Sequence, residues 1–407
     1  MAVEMNYNPP VAAIDATRSR VLIAAAIGLV GCAIGFVVEP DHFFRAWLVA
    51  FLLVFSIALG STALMMIQHL SGGAWGIFRR IFEASSRTIP LLALLFVPVA
   101  LGIGHLYPWA NADLVATDEV LKHRAPYLNT TFWMARAVVY LGGMWLLSAV
   151  LNSLSARQDA GDVSVNTRLQ RVSGAGLVFY ALVVTFAGVD WIMALNPHWY
   201  STLFGFLMMG GQGLAALSFT IIVSRYLFDS EPLSSLLKPY HFHDLGKLLF
   251  AFVMLWAYFN FSQYLLTFAA NLVEEAPYMI TRTTHGWQIL ALFLVVFHFV
   301  VPWLLLLSRD RKRTPSRLVM VAGWILVMRF LDIFMLVSPE FASTGQNLHL
   351  MQGEHTSVFF FHWLDVAAPV GVGGLWLWMF LTQLRQRPLL AAGDPYLKSA
   401  LEGGGHH

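Results

Sequence analysis

The sequence predicts an all-α polytopic membrane protein with about ten transmembrane helices. Three observations carry that expectation. Hydrophobic residues make up 58% of the 407 positions and charged residues 12%, with a mean hydropathy of +0.65. A water-soluble chain of this size needs far more charge to cover its surface. Apolar runs of about 18 residues or more recur along the whole length, each able to cross a hydrocarbon core about 30 Å thick. The basic residues fall on alternate segments between those runs.

The runs place spans at 20–38, 44–69, 88–106, 130–154, 172–195, 202–228, 245–270, 285–308, 317–337 and 358–384. This leaves a cytoplasmic N-terminal segment 1–19, a ten-helix transmembrane domain 20–387 and a cytoplasmic tail 388–407. The run lengths suit helices rising about 1.5 Å per residue, and the ten-residue alternation of barrel strands is absent. The first seventeen residues carry Glu4 and Asp15 and lack a cleavable signal pattern, so the first span is expected to act as an uncleaved insertion signal.

With ten spans, 19 of the 25 Lys and Arg lie on the side of the N-terminus, in clusters such as Arg79, Arg80 and Arg87, or Arg309 to Arg317. The opposite segments carry mainly acids, among them Glu39, Asp41, Asp118, Glu274, Glu275, Glu340 and Glu354. The positive-inside rule then puts both termini in the cytoplasm, which for a bacterial chain means the inner membrane. The stretch 309–317 is a topology signal on this reading, with no basic domain to suggest nucleic acid. Tyr107, Trp109, Trp133, Trp199, Tyr200, Tyr278 and Trp287 at outer span ends, and Tyr226 and Trp303 at inner ones, form an expected interfacial belt.

Cys32 is the sole cysteine. Iron–sulfur clusters and covalent c-type haem need cysteine clusters, so neither is expected on this chain, and Cys32 is expected to pack as a small apolar residue.

Ionisable side chains inside a span cost several kcal/mol unless paired or hydrated, which makes each a functional candidate. Arg136, Asp190, Arg329, Asp332, His362 and Asp365 fall at related depths, most of them roughly 6–14 Å below the outer interface at the helical rise. Arg329 and Asp332, spaced i and i+3, share a helix face and can pair within one helix. Asp190 has no cation one turn away. Either it bridges to Arg136 on the preceding helix, or it stands unpaired and exchanges protons. His298 lies near mid-membrane, as a packing residue or as a proton relay. It has no evident axial mate for a b-type haem, although His105 with His362 is geometrically open. Gln68, His69 and Lys247 sit at inner span ends, where snorkelling explains them and a cytoplasmic proton opening is the alternative.

Two long stretches are distinctive: GSTALMMIQHLSGGAWGIFRRIFEASSRTIP from Gly60 to Pro90, and YHFHDLGKLLFAFVMLWAYFNFSQYLLTFAAN from Tyr240 to Asn271. With the closing DPYL…SALE segment, they resemble the membrane subunits of bacterial alternative complex III, within the NrfD-like superfamily, and among these the shorter F subunit. The resemblance implies two four-helix bundles, at about 44–195 and 202–337, with the first and tenth spans peripheral. It also implies quinol oxidation near the outer face, with possible coupling to proton movement, and electron-carrying haem and iron–sulfur clusters only in partner subunits. Those partners would be an NrfD-like sister subunit, an iron–sulfur subunit and c-type haem subunits, alongside membrane lipids and the quinone pool. No catalytic residue and no metal ligand is expected here. The candidates for a quinone cavity or proton path are Arg136, Asp190, His298, Arg329, Asp332, His362, Asp365 and His69. Two other classes share these features: a proton-coupled secondary transporter, which needs broken helices about a mid-membrane site, with Pro98 and Pro302 as candidate breaks, and a b-haem anchor subunit.

Overall fold

A computed structural model describes residues 7–270, 272, 275–351 and 356–402. Glu4, Asn271, Glu274 and Glu354 lie outside the described residues. Nine helices among these are each long and apolar enough to cross a membrane, and a tenth span is a pair of helices bent by 42°. The chain is an all-α multi-pass membrane protein.

The spans are α1 (Val11–Val38), α2 (Pro40–Ser71), α3 (Ile89–Leu101), α4 (Thr130–Asp159), α5 (Val165–Trp191), α6 (Phe204–Leu227), α7 (Pro239–Ala270), α8 (Trp287–Leu307), α9 (Pro315–Val337) and α10 (Leu364–Leu384). Local sequence sets their ends. Pro40 and Pro315 open α2 and α9, where a missing N–H costs nothing. Asn129 caps α4 by accepting from the Phe132 N–H at 2.9 Å. Gly72, at φ 62°, stops α2 in a conformation that side chains disfavour. The short helix Arg79–Ser86 precedes α3 and makes the bent pair.

Helices α2, α3, α4 and α5 pack in a closed ring, and α6, α7, α8 and α9 pack in a second. The two rings meet through α2 against α6, with α5 also touching α6 and α9 touching α2. That exchange is what a pseudo-two-fold axis between the bundles produces. The central helices are accordingly hidden: the most apolar windows of α2 and α6 are 94% and 83% buried, against 22% for α1. Small residues permit the approach, since a Cβ on Gly60 would overlap the Gln212 carbonyl of α6. Helices α1 and α10 pair outside the bundles, and a Cβ on Gly28 would collide with the Gly371 backbone. Cys32 is buried in α1.

Two expectations change here. Tyr107, Trp109, Trp133, Trp199, Tyr278 and Trp287 are buried rather than spread along the lipid interface; Tyr200 and Tyr226 alone of those outer and inner aromatics are exposed. The buried ones pack within the bundles, for example Trp199 on Tyr278 at 3.6 Å, and some of them satisfy polar backbone there: the Tyr107 hydroxyl donates to the Trp191 carbonyl at 3.0 Å. Arg79 and Arg80 are likewise no solvated topology signal. Both are buried, paired with Glu83 one turn along their own short helix, and Arg80 also meets Asp159.

Candidate functional site

Among the described residues, the buried charges singled out in the sequence gather in four places. In the first bundle, Asp190 ends α5 and receives Arg136 of α4 in a fork: Nε to Oδ2 at 2.7 Å and Nη2 to Oδ1 at 2.8 Å. The Tyr140 hydroxyl adds a third donor at 2.8 Å. Trp133 Nε1 donates to the Asp190 backbone carbonyl at 2.9 Å. The rings of Tyr127 and Phe132 cover the guanidinium at 3.8 and 4.4 Å. Of the two arrangements open to Asp190, the structure has the cross-helix bridge.

In the second bundle, Arg329 and Asp332 pair within α9 as their spacing predicts. Trp256 of α7 donates to the same oxygen, Asp332 Oδ2, at 2.9 Å. Among the described residues Oδ1 receives no hydrogen bond, and Arg329 Nε and Nη2 have no partner although the residue is fully buried. Arg329 fits only because α6 has glycine opposite: a Cβ on Gly211 would overlap the guanidinium. His298 of α8 stacks on Trp256 at 4.2 Å, planes within 3°, and neither ring nitrogen closes a hydrogen bond of ordinary geometry.

The backbone explains how His298 comes to face α7. Residues Val295–Val300 form a π-helical turn in the middle of α8. Pro302 follows it and has no N–H to offer the Phe297 carbonyl one π turn earlier; that oxygen instead accepts from Trp324 Nε1 at 2.7 Å. π turns of this kind recur at functional sites. By contrast Pro98 sits inside α3 with no such break.

Asp332 lies at the end of a cavity of about 180 Å³ bounded also by Trp199, Trp256, Tyr278 and Arg282. Through Asn260, Tyr264 and Val295 this cavity joins an apolar groove of about 650 Å³ that runs between α7 and α8. Together these fall in the range of small-molecule sites, about 300–1,000 Å³. Phe261 and Leu292 on the groove are more than half exposed, so it opens sideways toward lipid. In the wall of the smaller cavity Arg282 donates to Glu340 at 2.8 Å and to the Leu336 carbonyl at 2.9 Å. Burial pushes the Tyr278 phenol up to about 12, so it keeps its proton at neutral pH.

Asp365, at the start of α10, is fully engaged. Arg45 of α2 donates to both its oxygens, at 2.8 and 2.9 Å, and to Ser338 Oγ at 2.7 Å, while the His362 N–H donates to Oδ2 at 2.8 Å. Beside it Glu39, His42 and His362 bring a carboxylate and two imidazoles within 4.8 Å. The two rings lie face to face at 4.1 Å, and His362 Nδ1 accepts from the Leu364 N–H at 3.4 Å, leaving the ring proton on Nε2 toward Glu39. Among the described residues His42 Nδ1 has no hydrogen-bond partner, so one ligand atom of the group is unengaged. His105 Nδ1 is 2.6 Å from Asp41.

The fourth cluster lies where the C-terminal end of α2 meets the short helix Arg79–Ser86. His69 Nδ1 meets Ser173 Oγ at 2.8 Å, Gln68 donates to Asp394 at 3.2 Å, and Arg79 to Asp394 at 3.1 Å. Gln68 and His69 are therefore buried network members and do not snorkel; Lys247 does reach outward, pairing with Asp244 at 3.0 Å on an exposed face.

So the eight candidates divide among four sites. Arg45, Glu83, Trp256 and Arg282 were missed. Arg45 carried the same signal that singled out Arg136, a charge inside an apolar run. The sequence also holds a repeat that went unread: Asp190, Met193, Pro197, Ser201 and Thr202 recur at identical spacing as Asp332, Met335, Pro339, Ser343 and Thr344. Each set closes the last helix of its bundle with a 3₁₀ turn, Met193–Leu195 and Ser338–Glu340. No family model and no curated protein matches the chain.

Proposed function

We propose that this chain is the quinone-handling membrane subunit of a bacterial respiratory quinol:electron-acceptor oxidoreductase of the alternative complex III type, seated in the inner membrane with both termini cytoplasmic. The observation that carries the reading is the lipid-facing groove between α7 and α8 that ends at Asp332. A quinol is a flat ring with two hydroxyls and a long apolar tail. It needs a sideways opening from lipid, aromatic walls, and polar groups at the closed end, and the groove offers Trp256, Tyr278 and Asp332 there.

Oxidation of a quinol releases two electrons and two protons. The electrons go to haem and iron–sulfur groups of partner subunits. On this reading Asp332 accepts one of the two protons at Oδ1, the oxygen that Arg329 leaves unengaged. Tyr278, protonated at neutral pH, is a hydrogen-bond donor toward the ring. The alternation of basic and acidic segments supports the orientation, and the resemblance in Gly60–Pro90 and Tyr240–Asn271 supports the family.

The test is purification from native membranes in mild detergent. Co-migration with c-type haem and iron–sulfur subunits, together with quinol oxidation by the assembly, is the expected result. A chain that migrates alone, without redox partners, overturns the proposal.

A further inference from the structure

Helices α8 and α9 part along the half that leads to their connecting loop. Between them lies a groove of about 710 Å³ walled by Phe297, Val301 and Leu305 of α8 and by Met320 and Trp324 of α9. Arg311 and Arg317 line the same groove at its loop end. The short helix Arg309–Arg313 holds the first of them, and the first turn of α9 holds the second. The 309–317 segment carries five basic residues and one acid, Asp310. Among the described residues, neither Arg311 nor Arg317 has a carboxylate within ion-pair distance. The groove thus has an apolar trough long enough for acyl chain and two unneutralised guanidinium forks at one end.

We infer that this groove is a specific site for one anionic phospholipid, its chains along Val301, Leu305 and Met320 and its phosphate on Arg311 and Arg317. Guanidinium binds phosphate through paired N–H groups, and the surplus of positive charge favours a headgroup with net negative charge over a zwitterionic one. The bound lipid would also brace the broken helix. The Phe297 carbonyl on the groove wall accepts from Trp324 Nε1, and the next residue, His298, stacks on Trp256 of α7. The inference does not rest on the quinone reading, and its test uses no redox measurement.

The purified full chain is delipidated in mild detergent, and retention of phosphatidylglycerol and phosphatidylcholine is compared by native mass spectrometry, with thermal unfolding followed in parallel. Phosphatidylglycerol should be retained at least tenfold over phosphatidylcholine and should raise the unfolding temperature, while inorganic phosphate should not. R311Q/R317Q should abolish the preference. R309Q/R313Q, which removes the same charge from the same segment away from the groove, should keep it. V301W, which fills the trough without touching charge, should lower retention of phosphatidylglycerol, so the proposal stays testable where R311Q/R317Q does not accumulate. Equal retention of the two lipids, equal loss in R309Q/R313Q, a full effect of inorganic phosphate, or unchanged retention in V301W would each overturn it.

Discussion

The two bundles end their last helices with the same five residues at the same spacing and use the shared aspartate differently. Asp190 is closed. A fork from another helix occupies both oxygens, a phenol adds a third donor, and two aromatic rings seal the cation. Asp332 is open. Its cation comes from its own helix at i−3 and meets Oδ2 alone; Oδ1 receives no hydrogen bond among the described residues, and two guanidinium nitrogens lack partners. The difference follows from where the arginine is mounted. A cross-helix arginine arrives end-on and can pair both N–H groups with both oxygens, whereas an arginine one turn away on the same helix reaches along the axis and contacts one. A saturated carboxylate suits a structural pin; an unsaturated one suits proton exchange.

The largest expected effects come from leaving one member of either pair alone. Asp190→Asn strands the buried Arg136, and Asp332→Asn strands Arg329; each should cost about 3–5 kcal/mol of unfolding free energy in detergent, the cost of an uncompensated buried charge. Losses below about 1 kcal/mol would mean that water reaches the arginine. The paired replacements separate the two halves. Arg136→Met with Asp190→Leu should recover most of the stability and leave quinol oxidation by the assembled complex within twofold. Arg329→Met with Asp332→Leu should recover stability and yet lower oxidation by about a hundredfold or more, the scale of removing a general base. Equal activity losses in the two double variants would erase the distinction between closed and open sites.

A smaller change probes the open site. Trp256→Phe keeps an aromatic face for His298 and deletes the N–H that Asp332 Oδ2 accepts. A hydrogen bond to a charged group is worth about 1.5–3 kcal/mol, and quinol oxidation should fall by about tenfold while the protein stays folded. Unchanged kinetics would remove Trp256 from the site.

The ten spans were legible because apolar run length reports directly on the bilayer. The Arg329–Asp332 pair was legible because i, i+3 spacing is local. Partners that come from distant helices were not. Asp365 is matched by Arg45, 320 positions away, and nothing in the neighbourhood of either residue announces the other. Buried Arg79 and Arg80 were read as topology charges because a basic pair at a span end looks the same whether it meets water or Glu83. The aromatic belt failed for a related reason: tryptophan at a span end suits both a lipid interface and a polar bundle cap. The Asp–Met–Pro–Ser–Thr repeat, in contrast, was present in the sequence and needed only the two halves laid side by side.

The smallest expected effect tests how much redundancy the closed site holds. Tyr140→Phe removes one of three donors to Asp190 and leaves the Arg136 fork intact. Because Oδ2 still accepts from Arg136 Nε, no lone acceptor is abandoned, and the loss should lie at the low end of the range for charged hydrogen bonds, about 1.5 kcal/mol. Quinol oxidation should not change, since the first bundle keeps its carboxylate covered. A loss near that of Asp190→Asn would show that the fork depends on the phenol to hold its geometry. A change in oxidation rate would show that the closed aspartate also takes part in proton transfer, and the contrast between the halves would then be one of degree.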